Sequence, residues 1–147
     1  MFKGEFEYVL DDKNRVVLPA SLRKDVSDEK LTEGFILVIG RKAQCLEIHP
    51  KRDWMQRIER QHDLYSDDDE EAEEYFRDII SSAFDVELDK NYRFVIPEAR
   101  KKEARVGKEV VFIGVWKRIE IWDKERWLER KNARAGKQSP PKADREN

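Results

Sequence analysis

Two arginines, Arg15 and Arg93, occupy matching positions in a short motif that occurs twice in the chain. Each lies four residues after an aspartate, Asp11 or Asp89, and each is followed by three apolar residues and a proline. A guanidinium that projects from such a turn can hold a phosphate, or the O6 and N7 atoms of guanine, by two hydrogen bonds at once. The chemistry that this spacing favours is therefore anion recognition.

The neighbouring polar residues can support the same chemistry. Lys13 offers a phosphate contact that carries little sequence information, and Lys3 offers an accessory contact. Asp11 and Asp89 are expected to accept backbone N–H bonds and so fix the turns, while Asn14 tolerates a positive φ. The alternative for both motif arginines is a structural ion pair with the turn aspartate or with a neighbouring subunit.

Other residue types give weaker signals. Cys45 is the only cysteine, which excludes an intramolecular disulfide, and we expect it to be buried and structural. His49 and His62 have no cysteine or histidine cluster around them, so no metal site is expected. The tryptophans recur at the same repeat position and are more typical of core or subunit packing than of base stacking: Trp54, Trp116, Trp122 and Trp127.

Charge is unevenly distributed along the chain. There are 30 basic and 32 acidic residues, for a net charge of −2, but seven of the eight residues from Asp67 to Glu74 are acidic. Without these seven negative charges the remainder carries +5, which leaves room for a basic face. The acidic N-terminal segment and the absence of a run of about 18 apolar residues predict a soluble intracellular protein with no membrane-spanning segment.

Two copies of one larger unit position the motifs. In each copy a strand leads into the aspartate turn, a short apolar strand runs to the proline, and a short helix follows, since proline is favoured where a helix begins. Two further strands complete each copy, with an Ile-Gly pair ahead of Leu46-Glu47-Ile48 in the first and Ile119-Glu120-Ile121 in the second. The duplication predicts two pseudo-equivalent halves.

A helical insert is predicted between the copies. One helix is expected over residues 53–64, and a second is expected to begin at a capping box formed by Ser66 and Asp69. The predicted organisation is a first repeat over residues 1–54, an insert over 55–83, a second repeat over 84–130 and a disordered tail over 131–147.

Three features of the sequence resemble one known family. The chain opens with Met1-Phe2-Lys3-Gly4, it carries the aspartate-to-arginine motif twice, and its second repeat closes with a segment from Ile113 to Trp122. In these features it resembles the MraZ family, part of the wider AbrB-like group of DNA-binding barrels, whose motif is Asp-x-x-Gly-Arg followed by a hydrophobic stretch. The resemblance covers about residues 1 to 130.

This resemblance implies an α+β fold, a tandem-repeat β-barrel with peripheral helices. It implies a bacterial, cytoplasmic and nucleoid-associated transcriptional regulator that acts at the promoter of the division and cell-wall gene cluster. Such a regulator binds repeated boxes of double-stranded DNA, assembles into a ring-shaped homo-oligomer, and needs neither a cofactor nor catalysis. The matching positions in this chain are Asp11, Lys13, Arg15, Asp89 and Arg93.

The sequence departs from the family motif at one position in each copy. The usual glycine is Asn14 in the first turn and Tyr92 in the second. Asparagine adopts a positive φ readily, so the first turn is expected to be unchanged. Tyrosine does so poorly, which predicts either strain in the second turn or a shift that puts Asn91 in the left-handed position.

Three other functions compete with this interpretation. An enzyme is the weakest, because the chain has no glycine-rich phosphate loop and no Ser-His-Asp or Cys-His arrangement. An antitoxin-type DNA-binding module of the same barrel group usually carries one motif copy, whereas this chain has two. A ring-forming scaffold that binds protein is favoured by the near-neutral net charge.

Overall fold

The computed structural model describes residues 1–143 of the chain. Within this range the strands are β1 (Glu5–Val9), β2 (Arg15–Val17), β3 (Phe35–Ile39), β4 (Leu46–Pro50), β5 (Phe84–Val86), β6 (Arg93–Val95), β7 (Glu109–Val115) and β8 (Arg118–Asp123). The helices are α1 (Ala20–Arg23), α2 (Asp28–Glu33), α3 (Lys51–His62), α4 (Glu70–Ser81), α5 (Glu98–Glu103) and α6 (Lys124–Ala133). A mixed helix-and-strand fold was expected from the sequence, although α2 was not predicted.

A six-stranded antiparallel sheet forms the body of the protein. Its order is β1-β7-β8-β4-β3-β5, and β2 and β6 pair separately as a two-stranded ribbon. Among residues 1–143 no ladder joins the edge strands β1 and β5, so hydrogen bonding does not close the sheet into the predicted barrel. Each copy contributes one strand to the ribbon instead of to the sheet.

The first strand of each sequence copy pairs with the other copy. β1 pairs with β7, placing Glu5 opposite Ile113, and β5 pairs with β3, placing Phe84 opposite Leu37. The central contact joins β4 of the first copy to β8 of the second, with Glu47 directly opposite Glu120. Because each copy completes the other's part of the sheet, the two copies form one interlocked unit.

The ribbon has one apolar face and one mixed face. Val16 and Phe94 lie opposite each other in its centre and are 3% and 2% exposed, so this face covers the core. The prolines that follow mark the switch from strand to helix: α1 begins directly after Pro19, and α5 begins directly after Pro97. The strand-to-helix switch predicted at both prolines is present.

The main core lies between the sheet and the ribbon. Phe112 on β7 is fully buried, and its ring meets the rings of Tyr8 and Phe94 edge to face, at centroid distances of 5.7 and 6.3 Å. Leu18 and Ile96, the apolar residues just before the two prolines, are also fully buried in this cluster. The core therefore ties the ribbon to strands of both copies.

The repeated Ile-Gly pair marks two close approaches of the chain. A side chain at Gly114 would place a Cβ atom 2.2 Å from the backbone nitrogen of Lys3, where the chain enters β1. At Gly40 a Cβ atom would lie 2.7 Å from Sγ of Cys45. Glycine recurs at both positions because neither space admits a side chain.

The insert consists of α3 and α4, which lie against the other face of the sheet. Trp54 of α3 packs with Ile36 and Val38 of β3 in a second apolar cluster. The predicted capping box is wrong in one detail, because Asp69 is the N-cap of α4 and accepts a hydrogen bond from the backbone N–H of Ala72. Asp69 caps the helix instead of Ser66 because its carboxylate also interacts favourably with the positive end of the helix dipole.

The last helix, α6, ends at Ala133, three residues inside the range 131–147 that was predicted as a tail. The part of that range from residue 144 to residue 147 lies outside the described residues. Over residues 1–143, none of the helices has both the length and the apolar character needed to cross a bilayer.

The position of Phe112 generates a stability prediction. Replacement of Phe112 by alanine should lower the free energy of unfolding by about 3–5 kcal/mol, because it leaves a cavity where the ribbon meets the sheet. Chemical denaturation followed by circular dichroism measures this change. The matched control is Val9→Ala, at a residue 60% exposed on edge strand β1, which should change the free energy of unfolding by about 0.5 kcal/mol or less. Equal losses in the two variants would contradict the described core.

Candidate nucleic-acid interface

The first motif forms a tight turn closed by Asp11. Its Oδ1 atom accepts hydrogen bonds from the backbone N–H groups of Lys13 and Arg15, at 2.9 and 2.8 Å. The backbone closes the same turn, since the N–H of Asp11 donates to the carbonyl of Arg15 at 3.0 Å and that of Asn14 to the carbonyl of Asp11 at 3.0 Å. Asn14 takes a φ of 58°, in the left-handed region.

The second turn repeats this geometry around Asp89. Its Oδ1 atom accepts from the N–H groups of Asn91 and Arg93, at 2.8 and 2.9 Å. Tyr92 itself takes a φ of 60°, so the shift that would put Asn91 in the left-handed position does not occur. Of the two predicted outcomes, strain at Tyr92 is the one present, and a left-handed tyrosine costs roughly 1–2 kcal/mol.

Reciprocal contacts between the copies hold both left-handed residues. The carbonyl of Tyr92 accepts from the N–H of Leu18, and the carbonyl of Asn14 accepts from the N–H of Ile96, both at 2.9 Å. The guanidinium of Arg23 lies 3.9 Å from the centre of the Tyr92 ring, which favours a cation–π contact. These bonds fix the backbone of the second turn and so oppose the strain.

The side chain of Asn14 is held in a matching way. Its Nδ2 donates to Glu98 at 2.8 Å, and its Oδ1 accepts from Lys101 at 2.9 Å. Lys101 and Arg23 are equivalent, because each lies four residues after the proline of its copy. The sequence analysis did not select these two cations, although this shared spacing was available as a signal.

Both motif arginines form ion pairs with their turn aspartates. Nε of Arg15 donates to Oδ2 of Asp11 at 2.7 Å, and Nε of Arg93 donates to Oδ2 of Asp89 at 2.9 Å. This is the structural ion pair considered from the sequence. It uses one edge of each guanidinium, and the terminal nitrogens of the two arginines make no hydrogen bond within residues 1–143. The pair therefore orients each guanidinium and leaves its other edge available.

The turn aspartates are held in the charged form. The pKa of Asp11 is lowered from 3.8 to about 2, chiefly by the hydrogen bond from the backbone N–H of Arg15, with further contributions from the Arg15 side chain and the Lys13 N–H. The pKa of Asp89 is lowered for the same reason, with the backbone N–H of Arg93 as the main cause. Both carboxylates are therefore ionised at neutral pH.

The ribbon brings the two motif arginines to one face. Arg15 is opposite Val95, and Arg93 is opposite Val17, so all four side chains point away from the buried Val16 and Phe94. The two arginines are diagonal neighbours across the strands, which corresponds to roughly 7–8 Å between their backbones. We call this surface, defined by Arg15, Val17, Arg93 and Val95, the ribbon face.

The other predicted cations lie in two different places. Lys13 is exposed in the first turn, beside the ribbon face. Lys3 lies at the opposite end of β1, next to the bridge between Phe2 and Trp116, about 25 Å from the turn. The structure therefore groups Lys13 with the two motif arginines and separates Lys3 from them.

A polar cluster of one buried and two half-buried side chains on the far face of the sheet was not selected from the sequence. Sγ of Cys45 and carboxylate oxygens of Glu47 and Glu120 lie within 4.8 Å of one another. Arg118 donates to Glu120 at 2.9 Å and lies 3.8 Å from Glu47, so a resident cation already faces both carboxylates. Burial raises the pKa of the Cys45 thiol, and the two glutamates raise it further, so the sulfur is protonated and inert. The sequence feature that could have revealed this cluster is the glutamate at the same position in each copy, Glu47 and Glu120.

Fold and site together define a duplicated α+β module that presents a pair of oriented arginines. A family model described as "MraZ protein, putative antitoxin-like" matches the chain twice, over residues 1–76 and 79–143. The chain therefore belongs to the MraZ family, as the resemblance indicated.

Curated relatives agree with this assignment. The chain is 35% identical over 127 residues to "Transcriptional regulator MraZ" of Lachnoclostridium phytofermentans, covering 86% of this chain and 84% of that protein. It is 37% identical over 133 residues to the protein of the same name from Clostridium tetani, covering 90% and 89%. The match in Clostridium beijerinckii is 36% identical over 129 residues, covering 88% and 86%. These relatives are bacterial, in agreement with the origin that the resemblance implied.

The lowered pKa of Asp11 generates a pH prediction. Because the folded pKa lies below the unfolded value of 3.8, the stabilisation is complete above the unfolded pKa and is lost as the pH falls through about 2. Asp11→Asn should therefore lower the Tm at neutral pH, and its Tm should approach that of the wild type as the pH is lowered towards about 2. Thermal unfolding at a series of pH values tests this.

The control for this prediction is Asp12→Asn. The Asp12 carboxylate bonds to Lys108 on the surface and does not contact the turn backbone. The plot of Tm against pH for Asp12→Asn should run parallel to that of the wild type. A constant Tm difference between Asp11→Asn and wild type at all pH values would show that the ionised carboxylate does not stabilise the turn.

Proposed function

We propose that this protein is a DNA-binding regulator of transcription whose ribbon face contacts double-stranded DNA. The observation that carries the proposal is the orientation of Arg15 and Arg93. Each has its Nε held by a turn aspartate while its terminal nitrogens make no bond within the described part of the chain. Two oriented guanidinium edges on one face of the ribbon match the bidentate acceptors of phosphates and of guanine.

The residues of the ribbon face take different roles in this proposal. Arg15 contacts a base edge or a phosphate, and Arg93 makes the equivalent contact from the second turn. Lys13, which is exposed beside Arg15, contacts a phosphate and positions the protein without reading sequence. Asp11, Asn14 and Asp89 shape the turns. Lys3 lies beyond the other end of β1, away from the ribbon face, so substitution of Lys3 serves as a control in the DNA-binding test.

Affinity in this proposal comes from repetition. Each motif arginine is partly neutralised by its aspartate, so a single subunit offers little net positive charge to the phosphates. A ring-shaped homo-oligomer that presents several ribbon faces to repeated DNA boxes overcomes this, because every contact after the first is intramolecular. The proposed target is the promoter of the division and cell-wall gene cluster, which places the protein in the cytoplasm at the nucleoid. The role is binding and not catalysis.

A protein-binding scaffold is the competing function, and one observation favours it. The segment from Asp67 to Glu74 and the first turns of α4 present a strongly acidic surface that would repel DNA. The two functions make different demands on the ribbon face. Only the regulator requires the free guanidinium edges of Arg15 and Arg93.

The test is fluorescence anisotropy of the full chain with DNA from upstream of its own gene and with scrambled DNA of the same composition. Arg15→Gln should weaken binding to the upstream DNA about tenfold to a hundredfold and should reduce the preference over scrambled DNA. Lys13→Gln should weaken binding to both DNAs equally and make the dependence on salt less steep.

Two controls make the result interpretable. Lys3→Gln removes one positive charge at the far end of β1 and should leave the preference for upstream DNA unchanged. Sedimentation of each variant shows whether the oligomer is intact, so loss of assembly is distinguished from loss of a contact. Equal, weak binding of both DNAs by an intact oligomer at low salt would overturn the regulator and favour the scaffold.

A further inference from the structure

An exposed tryptophan occupies the turn between β7 and β8. The Trp116 side chain is 62% exposed, and its backbone has a φ of 62°, in the left-handed region. Both properties are unfavourable for tryptophan, which loses the benefit of burial and pays a steric cost in the backbone. The Trp116 backbone also pairs with Phe2 across an isolated bridge, so the position of the ring is fixed by the sheet.

Positively charged side chains surround this ring. Arg57 and Arg60 lie three residues apart on α3 and so project from the same side of that helix. Together with Val115, Trp116, Lys117 and Arg118 they line a surface cavity of about 300 Å³. Its lining within residues 1–143 contains no acidic side chain.

Part of this positive charge is not balanced locally. Arg118 is bonded to Glu120, and Arg57 donates to Nδ1 of His49 at 3.2 Å. Arg60 and Lys117 form no ion pair with any carboxylate of residues 1–143; Lys117 instead lies 4.7 Å from the centre of the Trp116 ring. The cavity therefore combines an exposed indole ring, which Lys117 approaches, with Arg60, which has no ion-pair partner among residues 1–143.

A second cavity of about 400 Å³ adjoins this one and shares Arg57, Arg60, Trp116 and Lys117 with it. The remainder of its lining includes Asp25 and the ion pair between Lys30 and Asp53. These carboxylates would repel a negative ligand. The smaller, purely cationic cavity is the candidate site.

We propose that this cavity binds a nucleobase that carries phosphate. The base stacks on Trp116, and the phosphate lies against Arg60 and Arg57, which supply charge-assisted hydrogen bonds. The ligand is either a free nucleotide or one unit of a single-stranded nucleic acid, since both present the same chemistry. The site lies beside the end of β1 opposite the first turn, shares no residue with the ribbon face, and does not depend on the function proposed there.

The experiment uses the indole Nε1–H signals of the tryptophans in a nitrogen-15 correlation spectrum of the full chain. Trp116→Gly identifies the Trp116 signal, and glycine suits the left-handed backbone, so this variant should fold. Titration with ADP should shift the Trp116 signal. Adenosine, which lacks phosphate, and pyrophosphate, which lacks a base, should each bind at least about tenfold more weakly than ADP. A short single strand of thymidylate distinguishes the two sources of ligand. Tighter binding than ADP would indicate a single-stranded nucleic acid, and weaker binding would indicate a free nucleotide.

Matched variants locate the binding. Isothermal titration calorimetry, which does not need the Trp116 signal, should show that Trp116→Gly and Arg60→Gln each lower ADP affinity about tenfold, the magnitude expected when one stacked base or one charged contact is lost. Arg15→Gln on the ribbon face should leave it unchanged. ADP binding that survives both substitutions, or that is lost in Arg15→Gln, would overturn the proposal.

An absence of ADP and oligonucleotide binding would overturn it as well. If Arg60→Gln then also reduces self-association, the cavity is a contact for the acidic segment of a second copy. Sedimentation of wild type and Arg60→Gln provides that measurement.

Discussion

The antiparallel pairing of β2 with β6 is the interaction on which the remaining structure depends. It takes one strand from each sequence copy, buries Val16 and Phe94 on one side, and places Arg15 and Arg93 on the other. The same pairing supplies the bonds between the turns and the opposite copy, so neither turn is complete without the other half of the chain. Core packing and the geometry of the candidate site therefore have one origin.

The turn aspartates act on the arginines in two opposing ways. By bonding Nε they remove much of the rotational freedom of a long side chain, so that less entropy is lost when an anion is bound. By their own charge they lower the attraction of the surface for phosphate in general. The net effect lowers the strength of anion binding and raises its geometric selectivity, as the proposed function requires.

The sequence was sufficient for the features that depend on local chemistry. The aspartate spacing predicts the turns, the prolines predict where α1 and α5 begin, and two further strands were predicted after the helix of each copy, as observed. It could not predict the pairing of β1 with β7, because two equivalent copies offer each first strand two equivalent partners. Nor could it decide between strain and a shift at Tyr92, since the bonds that settle this come from residues of the other copy, Leu18 and Arg23.

The exchange of first strands also sets an order of events for a chain during its synthesis. Glu5 pairs with Ile113, so β1 leaves the ribosome long before β7 has been synthesised. At about 5–20 residues per second the wait is roughly 5–20 seconds. During that time the first copy has an unpaired strand edge, and the β7 of a neighbouring nascent chain is an equivalent partner. Translation of one message by several ribosomes thus opens a route to domain-swapped products.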